Sequence, residues 1–494
     1  MRALIWVVTL GLWWTTNALG TPVQEGPEAP ASEPRSEDPQ DDEAAAGVDE
    51  PEPNTQEADP QSSEETKTDL APEAARMSNV SAPKVEWLEL GGQFRAQFEY
   101  RDPAAYVVPG TFGTPLFARG NADDDLMLMR TRLHADARIN ENLRAFVQLQ
   151  DFRFWGAEAP PTLATTVDDE GVDIHQAFVD LERLFDVDFG LRIGRQELSY
   201  GDQRLVSPLD WRFRAFDAIK ARYRRDDWTL DVFASNVLEG TSTNRDRMFN
   251  GAYFTWEVDE EAILDVYLFQ RMYGDRTFAG ERGGLSDLED YTLGGRYARR
   301  GDLGGAEVDF TAEGAFQFGS RGGDHVEAFA WALKGGVTLD EETKFRIGAE
   351  WAYATGDEDP LDGNSNTFVP LFPFGHFFHG YYDQWVWSNG HDLAFSASFW
   401  PHEDLKVQLD WHNFWLDDTQ DAWYAADLTP IRRDPTGSAR RYVGSEIDLT
   451  GRWNIQEQVS LWFGYSFFQP GTYVRDTGSA PVGNFIFAQL TVDF

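Results

Sequence analysis

The sequence predicts an all-β protein: a transmembrane antiparallel β-barrel of about 18 strands preceded by a disordered N-terminal arm. Segments of about ten residues alternate apolar and polar side chains, as expected for a strand between lipid and water. Aromatic residues make up 14% of the 494 residues, yet the mean hydropathy is negative. A membrane barrel explains both values, because its outer face is apolar and aromatic while its lumen is polar.

The amino terminus has the three-part build of a secretory signal peptide. Arg2 precedes an apolar run over residues 3–14, and small residues follow up to Gly20. The run is too short to cross a hydrocarbon core of about 30 Å as a helix. We therefore assign residues 1–20 to a signal peptide that is cleaved near residue 18 or 20.

Residues 21–84 are rich in Glu, Asp, Pro, Ala and Ser and show no apolar periodicity. Such a segment cannot bury enough apolar surface to offset the entropy of ordering. It is predicted to be a disordered acidic, Pro-rich arm, acting as a spacer or simply as a solvated tail. The barrel is then assigned to residues 85–494.

Composition excludes several classes of function. The chain contains no cysteine, so it has no disulfide, thiol nucleophile or thiolate metal site. Its net charge of −42 argues against nucleic acid as a partner. Neither a P-loop nor a serine-hydrolase or zinc-protease motif is present, so we predict no enzyme, no catalytic residue, no cofactor and no metal site. One oxygen-rich stretch offers ligands suited to calcium but lacks the spacing of a known calcium loop: Asp357, Glu358, Asp359, Asp362, Asn364 and Asn366.

The clearest strand covers residues 127–139, where most odd positions are apolar and the even positions from Arg130 onward are polar. Strong alternation recurs at residues 93–101, 143–150, 306–318, 344–354, 393–400, 405–416 and 459–468. Weaker segments lie near residues 174, 189, 216, 228, 251, 263, 291, 328, 443 and 485. An even number of strands permits closure, and closure is required because an open sheet edge in lipid would leave backbone groups unpaired.

The carboxyl terminus and the tryptophans indicate an outer membrane. Alternate residues from 486 to 494 are apolar, and the chain ends on Phe494, which resembles the signal read by the bacterial barrel-assembly machinery. Several tryptophans are predicted to form lipid-boundary girdles, namely Trp256, Trp351, Trp400, Trp411, Trp415 and Trp453. Four other aromatics are in phase with the lumen: Phe146, Phe178, Phe233 and Trp462.

Cationic side chains dominate the predicted lumen face of the first half of the barrel. They are Arg95, Arg130, Arg132, Arg138, Arg144, Arg192, Lys220 and Arg222, with Arg346 further along the chain. Arginine offers a planar, permanently charged fork that suits carboxylates, so these groups could guide an anionic chain. Alternatively, they could pair with lumen acids and only stiffen the wall; the candidate acids include Asp136, Asp180, Glu307, Asp309, Glu313, Glu350, Glu446 and Asp448.

Three motifs carry a family resemblance. The first runs from Gly194 to Arg204 and includes Arg195 and Gln196, followed by Asp210, Trp211, Phe216 and Asp217. The second joins residues 367–373 to His376 and residues 380–383, and the third covers residues 444–449, 464–468 and 470–471. Together they resemble the bacterial alginate-export barrel family over roughly residues 85–494.

This resemblance implies an outer-membrane channel whose arginine-lined lumen passes an anionic polysaccharide. Glu446 and Asp448 join the arginines, with Arg195, Gln196 and Arg204, as candidate pathway residues. The expected partners are outer-membrane lipid, the assembly machinery and an anionic or neutral saccharide. Two alternatives stay open, since a fold can host many functions: a porin for small polar nutrients, or a structural barrel whose lumen is blocked by loops.

Overall fold

The computed structural model describes residues 87–103, 123–156, 171–208, 214–238, 247–340, 342–426, 428 and 430–494. The predicted signal peptide and acidic arm, at residues 1–84, lie outside these ranges, and so do Asp210 and Trp211 of the first motif. No helix among the described residues is long and apolar enough to span a membrane.

The described residues form 21 strands, one short α-helix, α1 (Thr472–Thr477), and two single-turn 3-10 helices (Leu184–Asp186 and Gly375–Phe377). In chain order the strands are β1 (Leu88–Asp102), β2 (Asp124–Asn140), β3 (Leu143–Trp155), β4 (Val172–Leu181), β5 (Phe189–Gln196), β6 (Ala215–Arg225), β7 (Trp228–Leu238), β8 (Arg247–Asp259), β9 (Ala262–Ala279), β10 (Leu285–Leu303), β11 (Ala306–Arg321), β12 (Asp324–Thr338), β13 (Arg346–Ala354), β14 (Asn364–Ser365), β15 (Gly390–His402), β16 (Leu405–Leu416), β17 (Ala422–Tyr424), β18 (Pro430–Arg433), β19 (Tyr442–Gln456), β20 (Val459–Pro470) and β21 (Gly483–Asp493).

Eighteen of these strands form a closed antiparallel barrel, as predicted. The short strand β14 lies beside β12, and β17 pairs with β18 in a separate hairpin. The other 18 strands form the wall. Each wall strand pairs with the next one along the chain, and β21 pairs with β1 from Gln93↔Asp493 to Asp102↔Asn484. The sheet therefore has no free edge in the membrane.

The period-two pattern sorts the side chains of each strand between the lumen and the outside. On β2, Leu128 and Arg130 are buried inside the barrel, whereas Leu133 is 49% exposed on the outer face. Tryptophans of the predicted girdle are also exposed, and these include Trp256, Trp351, Trp411 and Trp453. The four aromatics predicted to face the lumen have the parity of the inner face; among them, Phe146, Phe178 and Phe233 are buried.

The two ends of the barrel differ in their connections. At the end that carries both the start of β1 and the end of β21, most strands are joined by two-residue turns, such as residues 141–142 and 457–458. We call this the short-turn end. The opposite, long-loop end carries connections of up to 35 residues, at 355–389. Outer-membrane barrels place short turns in the periplasm and long loops outside the cell.

Two loops from the long-loop end meet inside the barrel. They are loop 197–214, between β5 and β6, of which residues 209–213 lie outside the described ranges, and loop 355–389, between β13 and β15. Val206 and Phe372 form a parallel bridge, and the Ser207 N–H donates to the Phe372 carbonyl oxygen at 2.9 Å. Phe372 in turn packs against Phe216 and Phe249 on the inner face of the wall. The two loops are thus held to each other and to the wall.

Candidate functional site

Part of the predicted arginine row is braced by lumen acids. Arg144 on β3 donates to Asp136 on β2 at 2.8 Å and to Asp180 on β4 at 3.1 Å. Asp180 also accepts from Arg192 on β5 at 2.6 Å. These four side chains tie four successive strands together across the lumen face. For Arg144 and Arg192, the structure matches the alternative in which arginines pair with lumen acids and stiffen the wall.

Three more predicted cations have carboxylate partners. Arg222 on β6 makes a two-pronged contact with Asp231 on β7, at 2.6 and 2.7 Å, and Lys220 lies 3.8 Å from the same carboxylate. Arg346 at the start of β13 makes an equivalent contact with Asp309 on β11, at 2.8 and 2.7 Å. Their charge is therefore largely balanced within the wall.

Arg95, Arg130 and Arg132 form a different group on β1 and β2. Arg130 donates to the Gln93 side-chain oxygen at 2.8 Å, and Arg132 donates to that of Gln150 at 2.6 Å. Arg95 lies directly opposite Arg130 in the strand register. These contacts orient the guanidinium groups, and the three arginines concentrate positive charge on one part of the lumen face, which we call the electropositive group.

The remaining candidates of β2 and β5 lie elsewhere. Arg138 is exposed beside the short turn after β2. Arg195 has the outward parity of β5 and donates to Asp217 at 3.0 Å, so it does not line the lumen as expected. The Gln196 side chain is buried and donates to backbone carbonyls of β5 and of Ala218 on β6. It braces two strands.

Loop 197–214 is anchored to the inner wall by ionic contacts. Arg204 donates to Glu350 on β13 and lies 3.9 Å from Glu313 on β11. Burial alone would lower the pKa of Arg204, but the two carboxylates outweigh it and raise the pKa. Asp202 accepts from Arg296 on β10 at 2.6 Å. The polar residues of the first motif thus order a loop inside the barrel.

Glu197, at the start of this loop, contacts the wall on the other side. It lies 2.6 Å from a ring nitrogen of the fully buried His175 on β4 and 3.4 Å from Arg132. Burial alone would raise the pKa of Glu197, but His175 and Arg132 hold it below its ordinary value. The loop therefore places one carboxylate next to the electropositive group on β1 and β2.

Loop 355–389 covers the predicted acids of β19. The Tyr382 N–H donates to Glu446 at 2.9 Å, while Arg101 on β1 donates to the Tyr382 carbonyl oxygen at 2.9 Å and to Asp383 at 3.1 Å. Burial opposes ionisation of Asp383, yet His376 and Arg101 together keep its pKa below the ordinary range. A single turn of this loop therefore bridges β1 and β19.

A buried histidine cluster lies next to this turn. His379 of the loop and His412 on β16 both contact Asp392 on β15, at 2.9 and 3.1 Å. Asp448 lies 3.9 Å from the other ring nitrogen of His412. Glu446 and Asp448 have no exposed surface, so neither lines an open pathway in this structure, and Glu446 anchors the loop through the Tyr382 N–H.

The oxygen-rich stretch considered for calcium mostly contacts its own backbone. Asp362 accepts from the backbone N–H of Asn364 at 2.7 Å, and Asp359 accepts from that of Leu361. Among the described residues, the group of side chains close enough together to hold a metal is the exposed turn His402, Glu403 and Asp404, outside that stretch. The geometry therefore gives the calcium expectation no support.

Lumen cations of the second half of the barrel were missed in the sequence. They include Arg271, Arg296, Arg321, Lys334, Lys406 and Arg452. Their signal was present, because Lys406 shares its parity with Asp410 and His412, and Arg452 shares its parity with Glu446 and Asp448. The cations surround the lumen and are not confined to its first half.

Comparison with known proteins agrees with this architecture. The family model for alginate export matches residues 86–488. No curated protein matches the chain significantly. Among solved structures, the outer membrane protein OpdK from Pseudomonas aeruginosa is similar with a TM-score of 0.55 and 9% identity, covering 83% of this chain and 99% of that one. OprD from the same organism gives a TM-score of 0.53 at 9% identity, with 82% and 94% covered. Likenesses at this identity show the fold alone.

Proposed function

Because the chain belongs to the alginate-export family and forms an outer-membrane channel, we propose that it conducts an anionic polysaccharide or oligosaccharide. The observation that carries the proposal is the electropositive group of Arg95, Arg130 and Arg132 on the lumen face of β1 and β2. Amide side chains hold the guanidinium groups of Arg130 and Arg132 in place, and the Glu197 carboxylate of the inner loop lies 3.4 Å from Arg132. A polyanion would meet oriented donors there, each interacting weakly enough to release it.

The braced arginines have a second role in this proposal. Arg144, Arg192, Arg222 and Arg346 are each bonded to a carboxylate, so they keep the wall rigid around the group on β1 and β2. A rigid wall preserves the spacing of Arg95, Arg130 and Arg132. The pathway residues are therefore a subset of the lumen arginines.

The two inner loops set the resting state of this channel. Their mutual bridge at Val206 and Phe372, and their anchors on the wall, favour a narrowed lumen over a wide, freely diffusive one. We propose that passage of the polymer requires loop 355–389 to shift. We also propose that the protein is secreted as a precursor and that residues 1–20 are removed as a signal peptide.

Single-channel recording tests the function. We expect the purified channel to prefer anions and the Arg130→Ala/Arg132→Ala variant to lose that preference, because two oriented charges leave the lumen. Arg299→Ala is the matched control, since Arg299 is an exposed arginine on the outward parity of β10, paired with Asp259 and Glu261. A strong cation preference in the unmodified channel would overturn the proposal.

Liposome swelling separates this function from the nutrient-porin alternative. An exporter with docked loops should admit neutral mono- and disaccharides slowly. Rapid swelling with many neutral sugars would instead identify a general porin. A structural barrel would be favoured if no solute or ion passed through the channel, either with the inner loops docked or in variants that release them.

A further inference from the structure

Cations lie directly opposite one another in the strand register at four places among the described strands. The pairs are Arg95↔Arg130, Arg138↔Arg144, Arg192↔Lys220 and Lys406↔Arg452. Like charges in directly opposed positions destabilise a sheet. Asp136 and Asp180 compensate such charge at Arg144 and Arg192. The pair Lys406–Arg452 lacks an equivalent carboxylate bridge on Lys406.

Lys406 is surrounded mainly by other cations. It lies on the inner face of β16, just after the turn at residues 403–404, and hence at the short-turn end. Within the described part of the chain, its ammonium group makes no hydrogen bond or ion pair. The charges that act on it most strongly are, in order, those of Arg452, the Asp410 carboxylate, Arg346 and Lys334. An anion from outside the protein would relieve this excess of positive charge.

Arg452 is held in a fixed position beside Lys406. Its guanidinium carbon lies 4.4 Å from the ring centroid of Trp462 and 5.1 Å from that of Phe377. The two rings are nearly parallel, with an interplanar angle of 15°, and Trp462 lies directly opposite Arg452 in the register. Contacts of this type attract a cation to the face of an aromatic ring. Trp462 therefore acts as a positioning residue for the guanidinium group.

We propose that Lys406 and Arg452 form a binding subsite for the carboxylate of an acidic sugar residue, located at the short-turn mouth of the lumen. This inference rests on the proposed function. It identifies the binding site that the polymer meets first on the periplasmic side. The carboxylate accepts hydrogen bonds from the ammonium and guanidinium groups together. A neutral sugar has no group that can replace these contacts, so the subsite selects for the uronate class.

Block of single-channel current by short oligosaccharides tests the subsite. The full-length channel is reconstituted in a planar bilayer, and an oligogalacturonate or a maltooligosaccharide of equal length is added to either side. We expect Lys406→Gln to shorten the residence time of the oligogalacturonate about tenfold, because one charge-assisted contact is lost. Trp462→Ala should shorten it as well, whereas Trp462→Phe should restore much of it by retaining a ring beneath Arg452.

Lys344→Gln is the matched control. Lys344 is an exposed lysine of the turn before β13, at the same end of the barrel, and it lies over the Trp400 ring at 5.4 Å. This variant removes the same charge and should leave the residence time unchanged. Heat-modifiable migration on gels verifies that every variant is folded, and Lys406→Gln should fold well because it removes a like-charge contact.

The outcomes separate the subsite from the proposed function. Equal residence times in the unmodified channel and Lys406→Gln would overturn the subsite while leaving the anionic pathway intact. Absence of any oligogalacturonate block in the unmodified channel would overturn the proposed function itself. An equal change for the maltooligosaccharide in Lys406→Gln would show that bulk, and not carboxylate binding, is involved, and would also overturn the subsite.

Discussion

Arg204 donates a hydrogen bond to Glu350 across 146 positions of the chain, and both side chains are buried inside the barrel. The guanidinium carbon of Arg204 lies 3.9 Å from the ring centroid of Phe378, a residue of loop 355–389. One arginine therefore connects loop 197–214, the wall strand β13 and the second inner loop. The closed arrangement of the two loops depends on this contact more than on any exposed ion pair, since exposed pairs contribute little.

Replacing Arg204 with methionine should release the inner loops. The variant removes the cation that Glu350 and Glu313 share and leaves Lys334, 3.7 Å from Glu350, in place. Removing one partner of a buried ion pair costs up to about 3–5 kcal/mol. We expect larger and noisier single-channel conductance. Arg195→Gln is the control, because it breaks an ion pair on the outer face. Unchanged conductance in Arg204→Met would contradict the role of this contact in holding the loops.

Gly380 should be required for docking of loop 355–389 on β19. Its φ is +85°, and a Cβ there would lie 2.5 Å from a carboxylate oxygen of Glu446. Gly380→Ala should therefore disrupt the bond from Tyr382 to Glu446 and increase hydrogen exchange in residues 375–383. Gly363→Ala is a matched control, since Gly363 has a φ of +91° but only ordinary contacts around its Cβ position. If Gly380→Ala and Gly363→Ala increased hydrogen exchange in residues 375–383 equally, backbone strain alone would explain the change.

The strand pattern could be read from the sequence, whereas the loop contacts could not. Alternation of side chains is local, so strands such as β2, and the inward direction of Arg130 and Arg132, follow from a few neighbouring residues. The hydrogen bond from the Tyr382 N–H to Glu446 joins residues 64 positions apart, so it depends on the path of the whole loop. The first motif predicts Arg195 to be a pathway residue, whereas its parity within β5 places it on the outer face.

Asp357 should make the docking of loop 355–389 depend on pH. Burial, with the nearby carboxylates of Glu281 and Asp421, raises the pKa of Asp357 to about 7. A raised carboxyl pKa means that the docked loop binds more protons than the released loop. The stabilisation is complete below the ordinary pKa of about 4 and is lost as the pH rises through about 7. Docking should therefore tighten between pH 8 and pH 5.

The variant Asp357→Asn tests this dependence because its side chain is uncharged at every pH. Hydrogen exchange in residues 355–363 is compared between the variant and the unmodified channel at the same pH, so that intrinsic exchange rates cancel. We expect stronger protection in Asp357→Asn at pH 8 and similar protection at pH 5. Greater protection of the unmodified channel at pH 8 would show that the charged form of Asp357 favours docking.

Phe494 should be required for assembly of the barrel. Its backbone N–H donates to the Gly92 carbonyl oxygen at 2.9 Å, and Gly92 donates back to the Phe494 carbonyl oxygen at 2.6 Å, beside the β1–β21 closure. Deleting Phe494 removes this pair of bonds and an outer aromatic side chain, but leaves every lumen residue in place. The matched variant Phe494→Asp keeps the backbone pair, and a charge near the interface costs only about 0–1 kcal/mol.

The two variants distinguish closure of the sheet from recognition by the assembly machinery. If the machinery reads the aromatic ring of Phe494, both variants should lose most of the folded barrel, which is measured as heat-modifiable protein in outer-membrane fractions. If only the backbone bonds matter, Phe494→Asp should assemble normally while the deletion fails. Refolding of both purified variants into detergent micelles provides the control, because a barrel that refolds alone but is missing from cells has failed at recognition and not at thermodynamic stability. Undiminished folded barrel in cells carrying the deletion would contradict any role for the terminal residue.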